Sequence, residues 1–208
     1  MTASFVLTYD SLITTVEQWL ERKDTAVVNQ IPTFITLCEF EVAQQIKTLG
    51  QIEVAQGTFL ANNPVVPKPA RWRKTVSMSV GVTKSPMFVR KYEYLTNYAA
   101  QSTPDTPLYY GDYDYDNWFI TPAPVADTQF EALVYQRIPP LSSANQTNWI
   151  TNNAPNVMIY GTLLQAMPFL KNDARVATFK AQYDAAMAAL KTEDITRTGD
   201  RSAVAVDS

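Results

Sequence analysis

The spacing of apolar residues changes twice along this chain of 208 residues, and the two changes set what it can fold into. Up to Gly50 the apolar positions recur in steps of three and four, as one face of an α-helix requires. From Gln51 to about Leu141 they alternate or cluster among prolines and tyrosines, as in strands and turns. Helical spacing returns near Asn153 and holds to about Leu190. A chain written this way predicts helical segments from both ends that pack together, with a sheet-forming segment between them.

The first helix is predicted in SLITTVEQWLERKD, with Leu12, Ile13, Val16, Trp19 and Leu20 on one face. Asp10 or Ser11 suits its N-cap, and Arg22 and Lys23 suit its carbonyl end. A second starts near Ile31-Pro32, where a proline lacks no needed donor, and Gly50 suits its end. Its stripe includes Cys38, which reads as a small core residue. TVSMSVGV predicts a strand with Val76, Met78 and Val80 alternating against Thr75, Ser77 and Ser79. QFEALVYQRI predicts one with Phe130, Ala132, Val134 and Gln136 opposing Glu131, Leu133, Tyr135 and Arg137, whose two partly apolar faces suit a central place in its sheet. KYEYLTNYAA suits a short helix between strands, and the prolines of VVPKPARW suit an extended lead-in, not a central strand. A third helix carries Val157, Tyr160, Leu163, Leu164 and Met167 and is expected to kink or end at Pro168. The fourth carries Val176, Phe179, Tyr183, Met187 and Leu190, with Asn172 or Asp173 as its cap.

The fold expected is therefore α+β: a four-helix bundle from 1–50 and 150–191, an inserted β-rich antiparallel sheet domain at 51–149, and a flexible, extended C-terminal arm at 192–208.

Composition narrows function. With no histidine, the usual general base, triad member and zinc ligand are all missing. One cysteine excludes an internal disulfide framework, and no apolar run nears the roughly 20 residues of a membrane span. MTASFVLTYD lacks the basic start and long apolar centre of a signal peptide. The formal charge of -3, with no block of like charges, gives the whole chain no bias towards phosphate. No phosphate loop or nucleophile elbow occurs. Glu39 and Glu41 do not share a helical face, so paired-carboxylate chemistry finds no support.

GDYDYDNW, residues 111–118, sets Asp112, Asp114 and Asp116 at the first three ligand spacings of a calcium loop. The glycine and bidentate glutamate of such a loop are replaced by Asn117 and Ala123. A nucleic-acid stacking surface needs cations between the rings, and here carboxylates stand there. A hairpin fits best: PLYYGDY turns near Asp114 to Asn117 and returns as NWFITPAP. Its outward rings, with Tyr113, Tyr115 and Trp118 as candidates, then suit an interface with sister subunits or a tail protein. ARWRKT, residues 70–75, reads as a solvated basic face with arginines laid over apolar neighbours.

The order of these blocks resembles the head–tail adaptor proteins of tailed bacteriophages, also called tail tubular protein A or head completion proteins. YDSLITTVEQWLERKD, IPTFITLCEFEVAQQIK, the PLYYGDY and WFITPAP pair, LVYQRIPPLSSANQTNW and APNVMIYGTLLQAMPFLKNDARVATFKAQYDAAMAAL carry the resemblance. It implies a structural virion protein with no catalytic residues and no cofactor, assembled in the host cytoplasm. Such adaptors form a ring, typically of twelve copies, at the neck. The ring joins the portal to the tail or nozzle around a channel through which genomic DNA passes without specific binding. The family's C-terminal arm reaches the portal, which gives Ala203, Val204, Ala205 and Val206 the role of an extended docking segment; plain disorder is the alternative. Another neck or tail-completion protein, a carboxylate-based wall hydrolase and a nucleic-acid binder are the competing readings.

Overall fold

The computed structural model describes residues 6–170 and 173–203. They fall into two compact units, the described parts of Met1–Gly50 with Ile138–Ser208, and Gln51–Arg137.

In the first unit, α1 (Tyr9–Leu20) buries Leu12, Val16 and Leu20. Its cap is Thr8, not Asp10 or Ser11: Thr8 Oγ1 accepts the Ser11 N–H at 3.1 Å while Ser11 Oγ accepts the Thr8 N–H at 2.8 Å. Tyr9 and Asp10 thus lie inside the first turn. The helix stops at Glu21, whose φ of 54° is left-handed, so Arg22 and Lys23 fall beyond its last turn. A single helical turn, α2 (Thr25–Val28), leads to α3 (Ile31–Gln45), which carries Pro32 in its first turn as the sequence predicts. It buries Ile31, Phe34, Ile35, Cys38 and Val42, then ends at an extended Ile46. Gly50 does not end this helix. It lies where a Cβ would collide with the Trp149 indole.

The second unit holds β1 (Ile52–Phe59), β2 (Val65–Pro67), β3 (Trp72–Val80), β4 (Ser85–Val89), α4 (Tyr92–Gln101), β5 (Tyr109–Asp112), β6 (Asn117–Thr121) and β7 (Thr128–Gln136). The strands make one sheet in the order β1-β7-β3-β4-β5-β6-β2. Every neighbour is antiparallel except β4 and β5, which run parallel and are joined through α4. The sheet curls on itself. Trp118 of β6 donates from Nε1 to Thr75 Oγ1 of β3 at 3.0 Å and sets its ring edge-on to Phe130 of β7 at 6.2 Å. Two strands separate β6 from β3 in the sheet order, so these contacts cross the interior of a nearly closed, barrel-like form. Phe59, Val66, Met78, Val80, Ile120 and Val134 share its core.

Strand β7 lies between β1 and β3, central as its two partly apolar faces predict, and the face it buries is that of Phe130, Ala132, Val134 and Gln136. In β3, Met78 and Val80 are buried but Val76 is exposed. The register shifts between Thr75 and Ser77, and one inserted residue resets which face each side chain meets. Strand β2, with its proline, pairs only with β6 at the end of the sheet.

The chain then returns to helices: α5 (Trp149–Asn153), α6 (Pro155–Leu170) and α7 (Val176–Ala203). Helix α6 buries Val157, Met158, Ile159, Thr162, Leu163 and Met167, which lie all around its axis and not on one stripe. It touches α1, α3, α5 and α7. It also runs through Pro168 to Leu170, so the helix does not end at the proline. A 3-10 turn, Asp173–Arg175, precedes α7, while Asn172 lies outside the described residues. Tyr183, Met187 and Leu190 of α7 are buried, with Val176 and Phe179 packed beside them.

The expected architecture is therefore corrected. In place of a four-helix bundle with an inserted antiparallel sheet, the protein is a mixed α/β fold: among the described residues, seven helices, with α6 in the midst of those of the first unit, and a seven-stranded mixed sheet curled into a barrel-like form. A bundle of four one-faced helices would give each a single buried stripe, but α6 buries residues around most of its axis and takes the centre of its unit. The flexible arm is corrected too, because α7 continues to Ala203. Once an alanine-rich helix is nucleated, each further residue adds a hydrogen bond, and 191–203 contains no proline to stop it.

Candidate docking surface

The crossover from β4 to β5 determines what the barrel shows to solvent. Leu95, wholly buried, anchors α4 on the outside of the sheet. Beneath it lies Gly111, where a Cβ would strike the Arg90 carbonyl oxygen and the end of Leu95. The glycine is what lets helix and strand approach this closely. With Leu95 turned inward, Tyr92 and Tyr94 of α4 are exposed and Tyr98 is half-buried.

They meet the outward residues of the hairpin. Tyr113 and Phe119 stack at 6.0 Å, and Tyr92 stands edge-on to both at 5.7 and 5.8 Å. Beside them, Tyr109 stands edge-on to Tyr94 at 5.5 Å and to Tyr98 at 5.1 Å. The Arg90 guanidinium lies 5.3 Å from the Tyr109 ring and 5.7 Å from the Tyr94 ring. Phe88 and Val89 of β4 extend this face and are more than half exposed, at 53% and 63%. A run of rings held by one another, and left partly open to solvent, is a candidate association surface.

The hairpin itself is as the sequence predicts. Asp114 Oδ1 accepts the N–H groups of Asp116 and Asn117 at 2.8 and 2.7 Å, and both its oxygens accept from Asn117 Nδ2. These bonds, the Asn117 side chain first, hold the Asp114 carboxyl below its ordinary pKa. Lys68 supplies the other tie. Its side chain is only 2% exposed, with Nζ 2.7 Å from Asp112 Oδ1, 2.8 Å from Asp114 O and 3.8 Å from the centre of the Trp72 ring. Two of the three aspartates are thus occupied within the fold. Among the described residues, no group of three or more His, Cys, Asp or Glu is placed to hold a metal ion.

The residues singled out in the sequence part company here. Tyr113 belongs to the ring surface and is 47% exposed. Tyr115 lies apart from it, 66% exposed, its hydroxyl accepting from Arg137 Nη2 at 3.1 Å. Trp118 is an internal residue, 1% exposed, because strand alternation turns it into the barrel core. Ala203 is the last residue of α7, and Val204, Ala205 and Val206 lie outside the described residues. Sequence reading missed Tyr94, Tyr98 and Arg90. The i, i+4 spacing of the two tyrosines in the predicted short helix was the signal that pointed to them.

It also missed Glu39. Its Oε1 accepts the Leu141 N–H at 2.9 Å and Asn148 Nδ2 at 3.0 Å. Asn148 donates as well to Pro139 O, and its own Oδ1 caps α5 through the N–H groups of Ile150 and Thr151. One carboxyl of α3 therefore fastens the RIPPLSSANQTNW segment. Burial pushes the Glu39 pKa up to about 7, against the two hydrogen bonds, which lower it. Glu41 turns elsewhere, accepting from Gln165 at 2.7 Å and Gln45 at 3.1 Å, so the two glutamates do not form a pair. Among the described residues no helix is long and apolar enough to cross a membrane.

A protein-family model described as SU10 adaptor protein matches residues 7–206 of the chain. No curated protein matches it.

Proposed function

The chain belongs to the SU10 adaptor protein family, a family of phage head–tail adaptors, and we propose that it builds a homo-oligomeric ring at the neck of the virion. As a phage adaptor it is a structural virion component. In the proposed ring, of twelve copies, the portal lies on one side and the tail or nozzle on the other, and DNA passes along the axis. The protein acts by binding, not by catalysis, and assembles in the host cytoplasm before joining the particle.

The observation that carries this reading is the exposed run of rings on β4, α4, β5 and β6. Aromatic side chains supply large contact area at small entropic cost, and they dominate interfaces where they are buried together. Their hydroxyls keep the isolated subunit soluble until a sister subunit covers them. A contact between unlike surfaces of identical copies propagates, and closes into a ring when the rotation between copies permits. Ala203, the last residue of α7, with Val204, Ala205 and Val206 after it in the sequence, is the portal contact in this reading, where many copies acting together give avidity to weak single contacts.

The test is assembly. Purified chain, alone and with portal rings, is weighed by light scattering, beside a variant carrying Tyr113→Ser and Tyr94→Ser. The reading predicts a defined ring for the native chain and a folded variant that fails to form it. A variant that assembles as well as the native chain removes the ring face from the proposal.

A further inference from the structure

The stretch of chain that crosses from β4 through α4 into β5 carries a cation before the helix and an anion after it, and the two do not pair with each other. The cation is Arg90. Its N–H donates to Tyr110 O at 2.8 Å and its Nη1 donates to Val89 O at 3.0 Å, so the residue is tied to backbone at both its root and its tip. The exposed guanidinium lies 5.3 Å from the Tyr109 ring and 5.7 Å from the Tyr94 ring. Among the described residues no carboxylate forms an ion pair with it. A guanidinium laid over rings keeps N–H donors at its edge for a partner. Asp112 and Asp114 of the neighbouring hairpin are engaged with Lys68 and with their own turn.

The anion is Asp105, in residues 102–108 between α4 and β5. Its N–H donates to Ala123 O at 3.0 Å, which fastens this connection to the one that follows β6. Its Oδ1 accepts the Thr106 N–H at 2.7 Å, and among the described residues no cation pairs with its exposed carboxylate. Pro104, Pro107, Pro122 and Pro124 fix φ along these two connections, so the acid stands on a stiff support. The same connections expose Pro104, Leu108 and Val125, the last two at 44% and 64%.

We propose that Asp105, with Pro104, Leu108 and Val125, docks on the aromatic face of the next copy and sets its carboxylate on that copy's Arg90. The inference rests on the ring reading and supplies the unlike surface that a ring contact needs. A carboxylate and a guanidinium that find no partner within one subunit attract between two. Proline and aliphatic groups beside the acid match the tyrosine faces beside the base, as in proline recognition by aromatic-lined surfaces. Water excluded by that apolar contact strengthens the charge pair at its centre. The guanidinium fork takes a carboxylate through two parallel hydrogen bonds, which fixes the rotation between copies. Each copy offers both halves of the contact, so a closed ring leaves neither half unpaired.

Arg90→Glu and Asp105→Arg test the contact by light scattering on the full chain, alone and with portal rings. Either altered chain by itself is expected to need about tenfold or more higher concentration to assemble, because like charges then face each other. An equal mixture of the two altered chains is expected to recover assembly near the native concentration. Strict alternation sets each Arg90→Glu site against an Asp105→Arg site, and each remaining Arg90 against a remaining Asp105. A folding fault in either chain is not repaired by mixing, so recovery reads the charge pair itself. Assembly of either altered chain at the native concentration overturns the proposal, as does failure of the mixture. A native ring indifferent to both reversals sinks this contact alone. A native chain that forms no ring, with or without portal rings, sinks the ring reading and this contact with it.

Discussion

Glu39 treats its two oxygens unequally. Oε1 receives both hydrogen bonds, while Oε2 is buried with no partner. A carboxylate in that position keeps a desolvated charge, and a proton removes it. The sign of the pH dependence follows. The folded pKa of about 7 lies above the ordinary 4.5, so between these values the folded protein holds a proton that the unfolded chain has lost. The stabilisation is complete below the ordinary value and is lost as pH rises through about 7. Denaturant midpoints between pH 5 and 8 are therefore expected to fall for the native chain and to stay nearly level for Glu39→Gln, which keeps the acceptor without the charge. Glu39→Ala, which orphans the Leu141 N–H and Asn148, is expected to cost about 1–3 kcal/mol at every pH. Parallel pH profiles for the native chain and Glu39→Gln would show that Glu39 titrates as an ordinary surface carboxylate.

Among the elements, α4 is the one whose position decides the docking surface, and Gly111 is its seat. Gly111→Val places two methyl groups against the Arg90 carbonyl and Leu95, so the variant is expected to lose about 1–3 kcal/mol and the near-ultraviolet signal of the tyrosine cluster. An unchanged spectrum and midpoint would mean that α4 is not held in this way. Elements with one buried face were legible in the sequence: α3, α7 up to Leu190, β7 and the β5–β6 hairpin all obey a single period. Those that depart from one-faced burial were not. Helix α6 buries residues around most of its axis, so its stripe was only a selection from what it buries. A bulge shifts β3 midway and exposes Val76, which no period within the strand announces. The aromatic face was half legible: alternation gave the outward Tyr113, but Trp118 faced inward by the same rule and was grouped with it. Tyr94 and Tyr98 join that face only because a helix crosses between two parallel strands, a long-range fact.

For the whole molecule, family membership and surface chemistry point the same way. The chain has no histidine, and the two glutamates of α3 are engaged apart from each other. In the proposed ring, the aromatic face of β4, α4, β5 and β6 meets an unlike surface of the next copy. Repetition around such a ring would turn modest contacts into a stable joint. The most direct measurement is electron microscopy of purified virions in which this chain carries a small tag. The account predicts the tag as a collar at the vertex through which the genome leaves, between portal and tail; tag density along the tail, over the capsid faces, or absent from the particle would contradict it.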